Sequence, residues 1–371
     1  MLWQRALWVF VAIVISSVSG HALADPLTPF QPGSSEVTIQ DVLPHFDAPE
    51  SRGNEFYSEW WSFVFTMDDG YWAYVQFLVS NLGSGDGNVT VRAQLRLPDD
   101  QEFSEKTELN AEQWSWARDR FEITFGDNSL AGPLDALVIK VKNASFEAEY
   151  RLKNLVPPWK PGTGRAQYGA SPSRYFQFTV MAPIAQMEGT VRVAGEDKAR
   201  TVKGIVHADH SLTTIGMQEQ AKRNMRFRSI NPKSTLLITD IEPPSIYGTE
   251  RIQYAVLWAD GKKVFETTRL DIKYGNDYVD PKKAGYACPR LIEIGAKDGD
   301  QTARIVLKMD KLTGREDFLE TANAATRFVV SKFAKPMMYD FDGRFAAEIK
   351  SGGKATRYGE KGRYYYTIVN L

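Results

Sequence analysis

The chain has 371 residues, 43% of them hydrophobic and 25% charged, which excludes a disordered acidic tail and a fibrous repeat. Its 45 basic and 46 acidic side chains leave a net charge of -1, so it lacks the positive field that nucleic-acid binding requires. At about 100–200 residues per domain, the length points to two domains.

Residues 1–24 read as an export signal: a single charge at Arg5, an apolar run from Ala6 to Val18, and Ala22-Leu23-Ala24 as a small-x-small cleavage site. Cleavage leaves Asp25 first and places the protein in the periplasm or outside the cell. No later stretch approaches the roughly 18 apolar residues of a membrane helix, so no transmembrane segment is expected in the mature chain. Cys288 is the only cysteine, which rules out an internal disulfide. Asn88-Val89-Thr90 and Asn143-Ala144-Ser145 match the N-glycosylation pattern, which matters only in a eukaryotic secretory pathway.

From Phe56 onward the chain alternates with period two. Tyr57, Glu59, Trp61, Phe63, Phe65 and Met67 share one face of a strand, and Asp68-Asp69-Gly70 turns it into a second run from Tyr71 to Asn81. Short strand-like runs follow at 89–97, 120–125, 136–141, 145–152, 175–181, 187–193 and 201–210, with a helical turn or two near 109–116. Beyond Gly216 the pattern resumes at 225–230, 235–241, 253–259, 264–274, 291–296, 303–309, 344–349 and 364–369, with Asp260-Gly261 as another hairpin turn. Strands joined by local turns, without long intervening helices, predict an all-β chain of antiparallel barrels or sandwiches. The Pro- and Gly-rich stretch Val156 to Arg174 reads either as a domain boundary or as a loop over a barrel mouth.

Two places concentrate chemistry. The mature chain holds only His45, His207 and His210, and two of these flank Asp209. On a strand His207 and Asp209 share a face while His210 takes the other, so these three do not form a metal site unless the strand ends there, and no metal or other cofactor is assigned. A polar strand end with hydrogen-bonded imidazoles is the plainer reading. Glu59 lies in line with Trp61, Phe63 and Phe65; burial there raises a carboxyl pKa and suits a general acid, whereas an ion pair to Arg223, Arg226 or Arg228 is the structural alternative. The aromatics Trp60, Trp61, Tyr71, Trp72, Tyr74 and Phe77 suit either a core or an extended apolar ligand. The alternating Lys222 to Arg228 segment suits a solvated sheet face or a contact for an anionic head group. Lipase, NTPase, zincin and thioredoxin motifs are absent from the sequence.

Glu59-Trp60-Trp61 entering an aromatic hairpin, with Gly204 to Asp209-His210 far downstream, resembles the bacterial AttH and hydroxyneurosporene synthase (carotenoid 1,2-hydratase) superfamily. Fungal survival-factor-like proteins and some fungal cyclases look like more distant relatives. The resemblance implies two tandem lipocalin-like antiparallel β-barrels, divided after Gly216 into 25–216 and 217–371, with 156–174 as a loop. It also implies that Asp209 matches the acid that protonates an isolated double bond in the hydratases. Ser211-Leu212-Thr213-Thr214 replaces the aromatic-glycine step that follows the motif there.

The expectation is therefore a protein that holds a long apolar small molecule, a lipid or isoprenoid, in or between two barrels, with Trp60, Trp61, Tyr74, His207 and Arg226 as ligand contacts. The alternative is a hydratase or isomerase with Asp209 as general acid, tuned by Glu59 or His210.

Overall fold

The computed structural model describes residues 26–82, 85–283, 285–318 and 336–369; the expected export signal lies outside the described residues. The chain is all-β and lipocalin-like, with a nearly closed barrel and a half-barrel sheet. The first half contains β1 (Leu27–Thr28), β2 (Ser58–Met67), β3 (Trp72–Ser80), β4 (Asn88–Arg96), β5 (Glu102–Leu109), β6 (Trp114–Trp116) and β7 (Glu122–Phe125). It continues through β8 (Asn128–Ala131), β9 (Val138–Lys142), β10 (Phe146–Asn154), β11 (Arg165–Tyr168), β12 (Tyr175–Val193) and β13 (Arg200–Thr213). The second half contains β14 (Arg223–Ser229), β15 (Ser234–Glu242), β16 (Ile252–Ala259), β17 (Lys262–Thr267) and β18 (Leu270–Val279). Its last strands are β19 (Ala287–Asp298), β20 (Gln301–Asp317), β21 (Met337–Ser351) and β22 (Lys354–Ile368).

Two compact units result: 34–160 with 176–214, and 215–369 with 26–33 and 161–175. In the first, strands run antiparallel in the order β5-β4-β3-β2-β13-β12-β10-β9-β8-β7-β6. The indole N–H of Trp114 on the terminal strand β6 donates to the Gly87 carbonyl just before β4, at 3.0 Å. The interior is filled by Trp61, Phe63, Phe65, Phe77, Phe125 and Tyr150, all fully buried. In the second unit the order is β17-β16-β15-β14-β22-β21-β20-β19-β18, around a core that includes Phe227, Leu257, Ile292, Tyr339, Phe341 and Tyr364. Cys288 is free and buried there, and burial pushes its thiol pKa well up, so it is poorly nucleophilic.

Where the sequence was read differently, local physics explains the change. The stretch 156–174 is not wholly loop: β11 pairs with β1, the Tyr168 hydroxyl donates to the Gln220 carbonyl at 2.8 Å, and Arg174 pairs with Glu219 at 3.1 Å. These bonds tie 26–33 and 161–175 to the unit that begins at 215. The runs at 175–181 and 187–193 are one strand, interrupted by register shifts between Val180 and Ala185, where Pro183 sits without an N–H to leave unpaired. The helical hint near 109–116 is a single 3-10 turn, Ala111–Gln113, capped by the Asn110 side chain on the Glu112 N–H. The charged strand β5, which has no buried residue, carries no apolar alternation from which to read it. Asp260 and Gly261 both take positive φ, as their hairpin turn requires.

The glycine of the recognised motif has a steric reason. A Cβ on Gly204 would stand 2.2 Å from the Thr66 carbonyl oxygen, because β13 lies tightly against β2 here. At Gly275 an added Cβ meets nothing within 4 Å. Gly204→Ala is therefore expected to cost about 1–3 kcal/mol or more, and Gly275→Ala to stay within about 0.5 kcal/mol, in urea unfolding curves.

Candidate functional site: a buried Glu-His cluster and the opposite face of β13

Strand β2 lies between β3 and β13, and its alternation sends Glu59, Trp61, Phe63, Phe65 and Met67 inward. The register pairs Trp61 with His210 and Glu59 with Leu212, so His210 points to the same inner side. Glu59 is fully buried, yet each carboxylate oxygen is doubly engaged. Oε1 lies 2.8 Å from His210 Nε2 and 2.9 Å from His45 Nδ1. Oε2 accepts from the His45 backbone N–H at 3.0 Å and from the Tyr57 hydroxyl at 2.5 Å.

This arrangement fastens the segment before β2 to the end of the barrel. His210 Nδ1 reaches the Asp41 carbonyl at 3.0 Å, and the Trp61 indole N–H donates to the Val42 carbonyl at 2.9 Å. A carbonyl only accepts, so Nδ1 of His210 carries a hydrogen. The line from Nε2 to Oε1 then needs a proton of its own, or two acceptors would face each other. The rings of Trp61 and His210 stack at 5.0 Å, and those of His45 and His210 at 6.0 Å. Lys160 pairs with Asp41 at 2.7 Å and holds the outer part of the segment.

Burial alone would raise the Glu59 pKa, as the sequence suggested, but the hydrogen bonds from His210 and His45 and their charges outweigh it and hold it at about 2. Burial pushes the His45 pKa down, and the hydrogen bond and charge of Glu59 more than reverse this, so it ends raised. Glu59 is thus an ionised anchor at neutral pH, not a proton donor. Its partners are not arginines: Arg223 pairs with Glu242 at 3.0 Å, and Arg228 lies over the Tyr365 ring.

Asp209 does not join this cluster. It is paired in register with Ser62 and Val180, so it projects from the opposite face of β13 together with His207, Ser211, Trp60 and Tyr74. His207 Nδ1 lies 3.1 Å from the Pro183 carbonyl at the β12 irregularity, and its Nε2 stands 3.5 Å from Asp209 Oδ2. His207, Asp209 and Ser211 are buried, while Trp60 and Tyr74 are half-buried. The Ser211 hydroxyl has no hydrogen-bond partner among the described residues.

The residues singled out in the sequence therefore fall into three places. Glu59, Trp61 and His210 meet inside the first unit; Trp60, Tyr74, His207 and Asp209 share its outer face; Arg226 sits on β14 of the second unit, between Thr239 and Tyr365. The convergence of Asp209 with Glu59 and His210 on one site is corrected by the strict alternation of β13. Sequence reasoning gave no role to His45, Tyr57 or the Asp41 carbonyl. His45 lies outside the regular strands, where no periodicity announces which way a side chain points.

With the geometry in place, the comparisons with known proteins become informative. The family model described as Svf1 matches residues 36–368. The chain belongs to the Svf1 family. No curated protein matches it. Among solved structures this Svf1-family chain is similar to CghA, with a TM-score of 0.61 at 10% identity over 92% of this chain and 95% of that one. It is similar to the AttH-like protein NE1406 of Nitrosomonas europaea, with a TM-score of 0.55 at 16% identity over 92% and 99%. Kievitone hydratase from Nectria haematococca has a TM-score of 0.50 at 13% identity over 92% and 98%. These neighbours share the AttH-like tandem lipocalin fold expected from Glu59-Trp60-Trp61 and the Asp209-His210 segment.

A glutamine at position 59 keeps one acceptor oxygen, loses the charge, and turns an NH2 toward two of the groups that now donate to the carboxylate. Glu59→Gln is expected to cost about 3–5 kcal/mol in chemical denaturation. Tyr57→Phe, which removes one charge-assisted bond, is expected to cost about 1.5–3 kcal/mol.

Proposed function

We propose that the protein is exported and binds a long apolar ligand, a lipid or an isoprenoid, against the outer face of β2 and β13. The observation that carries this reading is the pairing on one face of half-buried Trp60 and Tyr74 with the buried polar groups of His207, Asp209 and Ser211. Apolar walls with a few convergent polar groups are what orient a largely apolar molecule. The inner face offers less, because Phe65 and Tyr150 rings lie 4.3 Å apart there and Phe77 and Phe125 rings 5.0 Å apart. Trp61 leaves the ligand set for the same reason, since it is buried against His210. Arg226 lies on β14 of the other unit.

A hydratase reading is favoured by one specific feature. The hydrogen on His207 Nδ1 faces the Pro183 carbonyl, which turns Nε2 toward Asp209. Asp209 would give its proton to a carbon of an isolated double bond. Water would add to the resulting cation and return a proton to the His207–Asp209 pair. Kievitone hydratase, one of the solved structures with this fold, carries that reaction class in its name. Glu59 and His210 are outside this scheme, being on the other face of the sheet. Neither reading requires a cofactor.

Mass spectrometry of lipids extracted from natively purified protein is the decisive measurement. An apolar molecule above background is expected, with occupancy reduced about tenfold in Trp60→Ala and Tyr74→Ala, a change of about 1.4 kcal/mol. An empty wild-type protein would overturn both readings. Asp209→Asn is expected to spare binding; loss of turnover of a bound isoprenoid in that variant would identify the hydratase. Terminal sequencing of exported protein is expected to begin at Asp25.

A further inference from the structure

His45 Nδ1, Glu59 Oε1 and His210 Nε2 come from three separate stretches of chain and lie within 4.8 Å of one another. We propose that they form a binding site for one divalent transition metal of the zinc or ferrous class, which pins the segment around His45 to β2 and β13. This goes beyond the ligand reading and is independent of it, since the outer face of β13 takes no part.

Four features support the assignment. Both imidazole nitrogens converge on a single carboxylate oxygen, while the other oxygen is fixed by Tyr57 and by the His45 N–H. His210 is oriented by an Nδ1 bond to the Asp41 carbonyl, the outer-shell arrangement that aims Nε2 at the ion, and Nε2 becomes a ligand once the proton on its line to Glu59 has left. The separations of 2.8 and 2.9 Å from Oε1 to the two nitrogens are those of ligand atoms about 2.0–2.2 Å from a common ion at bond angles near 90°, the angles of a ferrous site, and a tetrahedral zinc needs them to open to about 3.4 Å. Two neutral imidazoles and one carboxylate select zinc or ferrous ions over calcium or magnesium, which prefer all-oxygen sites.

The proton balance is simple. The ring hydrogen of His45 moves from Nδ1 to Nε2, with no net loss. The proton on the line between His210 and Glu59 leaves to solvent. Glu59 coordinates as its carboxylate and releases no further proton. The side chain of His45 is 25% exposed, which gives the ion a route in, while Glu59 and His210 are fully buried.

The test uses the full mature chain without a polyhistidine tag, dialysed against a chelator and then titrated with Zn2+ or Co2+. Expected are one metal per chain by elemental analysis, a visible ligand-field spectrum with Co2+, and a rise in Tm on adding Zn2+. His45→Ala removes a partly exposed ligand and keeps both buried groups, so its folding is checked by circular dichroism. Its metal affinity is expected to fall by more than the roughly 10–100-fold loss typical of outer-shell partners, and its Tm is expected to ignore Zn2+. Metal-free wild-type protein after titration would overturn the proposal. So would wild-type affinity in a folded His45→Ala variant. Either result would leave protons alone holding the cluster together.

Discussion

A fully buried carboxylate is costly unless every lone pair is used, and Glu59, with no arginine or lysine beside it among the described residues, uses both oxygens twice. Its partners come from the segment before β2, from β2 and its approach, and from β13. The closure of that end of the first unit therefore depends on one charge. The aromatic filling of the interior, the stacking of Trp61 on His210 and the route of residues 38–57 are arranged around satisfying it.

The second unit solves the same problem differently. Asp240 is buried and held by Arg251, by the Gln253 amide at 2.9 Å and by the Tyr274 hydroxyl. Asp280 is buried and held by Arg315 at 3.0 Å and the Tyr339 hydroxyl at 2.8 Å. Guanidinium groups carry a fixed charge at any physiological pH, whereas imidazoles exchange protons or metal ions. Among the described residues, Asp240 and Asp280 are thus held by fixed charges, whereas Glu59 is held by imidazoles.

The fold was legible because period-two patterning and turn chemistry are local. Asp68-Asp69-Gly70 and Asp260-Gly261 mark hairpins, and the inward line from Tyr57 to Met67 was readable before any partner strand was known. Half of the candidate site was legible for the same reason: Glu59 is inside, and His210 is on the other side of its strand from Asp209. The rest was hidden for two reasons. The direction of the Glu59 pKa depends on His45 and on donors that no spacing connects to it, so burial alone gave the wrong sign. The assignment of 161–175 to the second unit rests on the bonds of Tyr168 to Gln220 and of Arg174 to Glu219, and on pairing with β1, a two-residue strand too short to carry a pattern.

Strand β13 is buried on both sides from His207 to Thr213, which gives one short stretch of chain two environments separated by the thickness of a sheet. Even-numbered residues such as His210 and Leu212 contribute to the interior, and odd-numbered ones such as His207, Asp209 and Ser211 to the buried opposite face. The backbone insulates the two. Substitutions at the odd positions change that face without touching the partners of Glu59, so the chemistry of one side of the strand can drift while the anchoring on the other stays constant.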